Sequence, residues 1–212
     1  MRFSANLYID GFNLYYGLLK KNPSYKWLNP VSLVCRILTY IDIAQTEYFT
    51  ADVLPSWEDP DKGNRQALYC RALKTIPNLE IVRGHYSQHE KRMALYYDYI
   101  AQKETRVWVL KREEKGSDVN LATHLLRDAF LNKFTTAIVL SNDSDLEEPI
   151  KICTRELGKY VYVLNPQAGP PAKDLKKVAS KQIVIRYKHL SHCQFPVTLT
   201  DSSGTFTKPS TW

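Results

Sequence analysis

The chain lacks the features that most quickly name a chemistry. Its four cysteines, Cys35, Cys70, Cys153 and Cys193, are far apart and form no C-x-x-C pair, which argues against a zinc ribbon or a disulfide framework. Cys35, Cys70 and Cys153 fall inside helical patterns and are expected to act as small buried apolar groups, in keeping with a reducing, cytoplasmic setting. There is no G-x-x-x-x-G-K or G-x-G-x-x-G loop, so the common phosphate-cradling nucleotide sites find no support. No run of 18 apolar residues occurs, and Asn6 and Asp10 interrupt the start of the chain; neither a membrane span nor a secretory leader is expected. His189, His192 and Cys193 fit no usual zinc spacing, no serine has an evident base, and there is no internal repeat.

What remains has the composition of an ordinary folded domain, with 212 residues, 44% of them apolar and 24% charged, enough to bury a core without a metal staple. The charge is uneven: 29 Lys and Arg face 22 Asp and Glu, a formal net of +7. A basic surface of this kind favours a polyanionic partner through phosphate contacts and counterion release.

Short β-type runs alternate with helical patterns over residues 1–166. Residues 4–9 read as a buried strand and residues 12–19 as helical. Asn29-Pro30 opens a helix, with Asn as cap and Pro at the first helical position. Residues 43–53 read as a strand, 54–63 as a surface loop, 65–76 as a helix and 79–82 as a strand. Residues 87–103 are the least legible stretch, within which 93–100 fits either a helix or a hairpin arm, and 105–110 reads as a strand. A helix follows Asp118, residues 135–141 are the most strand-like run, and Gly158 stops the next helix. Residues 159–164 are read as the last core strand. This alternation predicts an α/β fold, a mainly parallel central sheet with helices on both faces. After Pro166 the composition changes: residues 167–212 form a basic C-terminal extension, packed on the domain or trailing from it.

The acids carry the chemistry. Asp10 ends the first strand and is followed by Gly11, for a tight turn, and Asn13, which could orient it. Asp118 opens a helix, where the dipole favours its charged form. Asp143 and Asp145 follow the strand that ends near Ser141, and a helix cap needs only one of them. In an open parallel sheet the carboxyl ends of the strands share one edge, where ligands bind. Four carboxylates gathered there without matching bases repel one another unless hard cations hold them. The predicted metal ligands are therefore Asp10, Asp118, Asp143 and Asp145, for Mg²⁺ or Mn²⁺. Arg65, Arg112 and Lys115 are candidates for phosphate contact.

The runs Tyr8-Ile9-Asp10-Gly11-Phe12-Asn13-Leu14-Tyr15, Tyr48-Phe49-Thr50-Ala51, Arg65-Gln66, Glu114-Lys115-Gly116-Ser117-Asp118-Val119-Asn120-Leu121 and Ser141-Asn142-Asp143-Ser144-Asp145-Leu146 resemble the NYN domain, a PIN-like nuclease family, and most closely its LabA-like branch. His189-Leu190 and Gln194-Phe195-Pro196 resemble that branch's ending. The resemblance implies a PIN-type parallel sheet and a divalent-metal-dependent ribonuclease, an endoribonuclease that hydrolyses RNA with metal-activated water. It places the four aspartates in the acidic site with Asn13 and Ser141 beside it, Ser141 as a substrate contact. Asn142 stands where many PIN-like proteins carry Gly, and is expected to tolerate a left-handed backbone there. The rival reading is a non-catalytic RNA- or protein-binding regulator on the same fold. Single-stranded or structured RNA is the expected partner, no membrane is expected, and a homo-oligomer is left open.

Overall fold

The computed structural model describes residues 2–103, 105–167 and 169–212. Six strands form one parallel sheet, β1 (Phe3–Asp10), β2 (Ile41–Thr50), β3 (Leu79–Arg83), β6 (Thr136–Leu140), β7 (Tyr160–Asn165) and β8 (Lys181–Val184), in the order β3-β2-β1-β6-β7-β8. The chain builds outward from β1 to one side, then returns to β6 and builds to the other. The loops after β1 and β6 therefore diverge and leave a crevice between them.

Alternation along the central strands fills both faces. Leu7 and Ile9 of β1, with Ile138 and Leu140 of β6, join one apolar cluster. Tyr8, Ala137 and Val139 point the other way into a second. The first face is covered by α1 (Gly11–Leu14, continued as a π-helix through Tyr15–Leu19), α2 (Pro30–Ile37) and α3 (Lys62–Leu73). As expected, Asn29 caps α2, its Oδ1 accepting from the Ser32 N–H at 2.9 Å, with Pro30 at the first position. The second face is covered by α5 (Ser117–Phe130), α6 (Glu147–Lys151, also continued as a π-helix through Ile152–Glu156) and α7 (Lys173–Val178).

Two expectations need correction. The strand at 105–110 is outside the main sheet: β5 (Arg106–Lys115) pairs antiparallel with β4 (His85–Ala94), forming an arm with the short α4 (Tyr96–Ile100) at its tip. The run Arg106-Val107-Trp108-Val109-Leu110-Lys111 mixes charged and apolar side chains on both faces, unlike a strand buried in a parallel sheet. Strand β7 is not the last of the sheet, because β8 adds a sixth strand beyond it. As an edge strand with one neighbour, β8 needs few apolar residues and reads weakly in sequence. The hairpin β9 (Thr198–Asp201) and β10 (Gly204–Thr207) follows, and Phe206, Ile185 and Phe195 enter the first cluster. The compositional change at 167 marks no break in the core. All four cysteines are free thiols, and Cys70, Cys153 and Cys193 are buried. Among the described residues no helix is long and apolar enough to cross a membrane.

On the α5 side lies a balanced charge network. The Tyr8 hydroxyl donates to Asp128 Oδ2 at 2.9 Å, while Arg127 and Lys133 bind Asp128 Oδ1 at 2.8 and 3.0 Å. Arg127 and His124 meet Glu47 at 3.2 and 2.7 Å. Burial pushes the Asp128 carboxyl up, but the bonds from Arg127, Lys133 and Tyr8 outweigh it and hold it below its usual range. Tyr8→Phe should cost about 1.5–3 kcal/mol in urea unfolding, the range for a hydrogen bond to a charged group. Asp128→Ala, which leaves the buried Tyr8 hydroxyl without its acceptor, should cost more than Tyr8→Phe. Neither should change cation binding at the site described next.

Candidate active site

Asp10 is both the last residue of β1 and the cap of α1. Its Oδ1 accepts from the Asn13 N–H at 2.8 Å, and its Oδ2 accepts from the Ser141 hydroxyl at 2.9 Å. Only 4% of Asp10 is exposed. Gly11 is needed less for a tight turn than for close approach: a Cβ there would lie 2.7 Å from the Tyr48 ring and 2.8 Å from the Phe49 carbonyl oxygen. Ser141 is fully buried and its hydroxyl also accepts from the Asp143 N–H at 3.1 Å. It therefore ties the β1 and β6 loops together and offers no free surface for substrate. Asn13 Oδ1 accepts from the Asn142 N–H at 3.1 Å. Asn142 in turn donates to Gln167 Oε1 at 3.1 Å and accepts from the Ala172 N–H at 2.8 Å. Its backbone is not left-handed, so these side-chain bonds, rather than conformational tolerance, explain an Asn at that position.

Asp118 stands in the first turn of α5. Glu114, at the end of β5, accepts from the Ser117 N–H at 3.0 Å and so caps the same helix. Gly84 lets the base of the arm close against this start, since a Cβ would lie 2.4 Å from the Lys115 carbonyl oxygen. Asp10, Asp118, Asp143 and Glu114 line one cavity of about 450 Å³, with Asn13, Lys21, Gln167 and Tyr187 around it.

Electrostatics mark this cavity out. Burial, with the charges of Asp118 and Asp143, pushes the Asp10 carboxyl up to about 6, against the lowering bonds from Asn13 and Ser141. Asp118 is also raised, first by burial and then by Asp143, Glu114 and Asp145. Among the described residues no Lys, Arg or His forms an ion pair with any of the four aspartates.

Of the residues singled out in the sequence, Asp10, Asn13, Asp118 and Asp143 line the cavity. Asp145 is exposed at its rim, donating its N–H to Asp143 Oδ1 at 3.0 Å. Arg65 and Arg112 line a neighbouring groove, and Lys115 pairs with Glu113 at 3.4 Å. Other polar lining residues were not anticipated as such. Glu114 had a visible sign, a surplus acid four residues before Asp118. Lys21, Gln167 and Tyr187 had none.

Among the described residues lining the cavity, the groups able to bind a metal are mainly carboxylate and amide oxygens, with no thiol or imidazole, the chemistry of Mg²⁺ or Mn²⁺ rather than of thiolate- or imidazole-bound metals. Two buried polar atoms at this edge, Ser117 Oγ and Asn165 Nδ2, have no hydrogen-bond partner among the described residues. The acids surround the cavity without forming a closed cage: among the described residues no three Asp, Glu, His or Cys side chains converge tightly enough to enclose a cation. The donor chemistry suits a hard divalent ion, and Asp10, Asp118 and Asp143 are the residues that would hold it.

A raised carboxyl makes the folded state favour the proton. Its stabilising effect is complete below the ordinary value near 4 and is lost as pH rises through about 6. In chelator, the protein should therefore lose on the order of 3 kcal/mol across this window relative to Asp10→Asn, read as melting temperature against pH. Added Mn²⁺ should restore stability above pH 6 and leave Asp10→Asn unmoved.

Comparison with known proteins agrees with this architecture. The chain is 28% identical to 6-hydroxy-3-succinoylpyridine 3-monooxygenase of Pseudomonas putida, over 98% of this chain and 75% of that one. Its fold is similar to the crystal structure of a Vibrio parahaemolyticus protein of unknown function, with a TM-score of 0.52 at 13% identity, covering 88% of this chain and 94% of that one. The NYN domain family matches residues 4–186. With its six-stranded parallel sheet and the acidic crevice at the β1–β6 switch, the chain belongs to the NYN domain family, in the PIN-like superfamily.

Proposed function

We propose that this protein is a divalent-metal-dependent ribonuclease. The observation that carries the reading is the meeting of Asp10, Asp118, Asp143 and Glu114, from four separate elements, around one cavity where, among the described residues, no base is paired to the aspartates. A family of nuclease-type domains and a net charge of +7 support it. A structural network would be balanced, as the Asp128 network is. Here the charge is unmatched, and a site that must take up a cation together with a phosphate has reason to leave it so.

When bound, Mg²⁺ or Mn²⁺ supplies Lewis acidity and a water of lowered pKa. The chain's own residues do the rest. Ser141 and Asn13 lock both oxygens of Asp10, so the carboxylate costs little further reorganisation. Asp118 and Asp143 flank it, and Asp145 waits at the rim. Lys21, the one Lys or Arg lining the cavity among the described residues, is suited to a phosphate oxygen. Beyond the cavity, Lys173 and Lys176 are exposed, whereas Lys177 is paired with Asp174 and Lys181 donates to the Tyr40 hydroxyl. The first two offer the freer contacts for an RNA backbone.

The relative from Pseudomonas putida carries a second reading, oxygenation of a pyridine acid, which the aromatic groove beside the acids also favours. An oxygen electrode with 6-hydroxy-3-succinoylpyridine and an electron donor separates the two; on the nuclease reading no uptake is expected. A regulator that only binds RNA is separated by the cleavage assay.

With Mn²⁺, generic RNA should be cut to 5′-phosphate and 3′-hydroxyl ends, identified by mass spectrometry, and chelator should abolish the cutting. Asp118→Asn and Asp143→Asn should each lower turnover at least 100-fold, within the range for losing one electrostatic element of an active site. RNA affinity should be kept or raised, because repulsion against phosphate is removed. Cyclic phosphate ends that persist in chelator would defeat the reading. Affinity should also fall steeply with salt, as phosphate contacts require.

A further inference from the structure

Beside the acidic cavity runs a second hollow of about 470 Å³, and Phe12 and Tyr16 line both. Its walls are aromatic. The Phe12 and Tyr16 rings lie near-parallel, 22° apart with centroids at 6.4 Å, and Tyr86 meets Phe12 edge-on at 6.0 Å. Tyr16 is 56% exposed, with the Lys20 ammonium 4.9 Å from its ring centroid, so its ring is open to solvent and to a cation instead of filling a core.

The groove is also cationic. Lys20, Lys26, Lys62, Arg65 and Arg112 line it, against one acid among the described residues, Asp59. Asp59 is already taken by Arg65. Among the described residues Arg112 donates to two neutral oxygens, those of Pro55 and Gln88 at 2.7 and 2.8 Å, and forms no ion pair. The Lys26 ammonium, half-buried over the Tyr15 ring at 5.8 Å, is pushed down by burial and then by Arg65. Flat apolar faces with surplus positive charge suit a ligand that is a planar ring joined to an anion. The shared wall sets that ligand within one residue's reach of the acids.

We propose that this groove holds one unpaired nucleotide adjacent to the scissile phosphate, its base against Tyr16 and Tyr86 and its phosphate with Lys26 and Arg112. The assignment rests on the ribonuclease reading for the identity of the polymer. It deepens that reading by restricting the substrate to single-stranded RNA. A base cannot remain paired and stacked in a duplex while lying on these rings, and stacking tolerates any base because every base has a π-face.

The test measures binding, in chelator so that no cleavage occurs, of a mixed-sequence RNA dodecamer, the same strand in duplex, and the same strand with a central abasic residue. The single strand should bind at least tenfold tighter than the duplex and the abasic strand. Tyr16→Ala and Tyr86→Ala should each weaken the single strand about tenfold and leave the duplex unchanged, which also controls for folding. Tyr86→Phe should keep wild-type affinity, since the ring and not the hydroxyl is used. Lys26→Ala should lower the slope of log affinity against log salt by about one. Equal binding of single strand and duplex, or unchanged affinity in both alanine variants, would overturn the proposal. So would saturable binding of a free pyridinecarboxylate with no binding of RNA. If the strand preference and the tyrosine effects appear but Mn²⁺ brings no cleavage, the nuclease reading fails and the groove stands. If cleavage appears and the alanine variants bind normally, the groove fails and the nuclease stands.

Discussion

One carboxylate is buried where it is least comfortable, and the candidate site is organised around it. Asp10 lies at the junction of β1 and β6, where the sheet changes its direction of growth and the loops part. Two donors, the Asn13 N–H and the Ser141 hydroxyl, hold its oxygens, and its charged neighbours Asp118 and Asp143 share its sign. Neutral hydrogen bonds offset part of the desolvation cost of a buried charge, but they do not remove repulsion from like charges. The remainder raises the affinity of Asp10 for a proton, and a bound cation would relieve the same repulsion.

Helix α5 makes the contrast within one element. Asp118 at its start faces other acids, and Asp128 near its end is bound by Arg127, Lys133 and Tyr8. The matched network fixes the helix against β1 and β2. With its far end pinned, the helix can present an unmatched acid at the crevice. The second device is the chain of amides that links Asn13, Asn142, Gln167 and the Ala172 backbone. It ties three loops at the carboxyl edge to one another, so the spacing of Asp10 and Asp143 does not depend on a cation being there.

The surroundings extend the same logic. The acids would repel phosphate, and the neighbouring groove sets positive charge, that of Lys26 and Arg112, beside exposed rings. On the proposed reading, the approach of substrate and the uptake of a cation are separated by the shared wall of Phe12 and Tyr16. The arm of β4 and β5 joins in only at its base, where Glu114 both caps α5 and lines the cavity. Its tip carries exposed Tyr96, Tyr97 and Trp108 well away from that base.

The sequence by itself determined whatever depends on local pattern. The short apolar runs of β1, β6 and β7, the Asn29-Pro30 start of α2 and the glycine after α6 follow from side-chain period and backbone preference, which act within a few residues. The aspartates at strand ends could be placed on one edge because a parallel sheet offers a single edge for them all. Tertiary structure decided the rest. Edge strand β8 has few apolar residues, and its membership of the sheet depends on β7 being beside it. The arm strand β5 reads as an ordinary strand, since strand propensity does not name a partner. Lys21 reaches the cavity from a segment about 145 residues or more before those of Gln167 and Tyr187, through side-chain directions that no local pattern encodes. Ser141 looked available to a substrate and is buried, because its hydroxyl is committed to Asp10 and Asp143 across the gap between two strands, and a hydrogen bond of that kind exists only once both strands are in place.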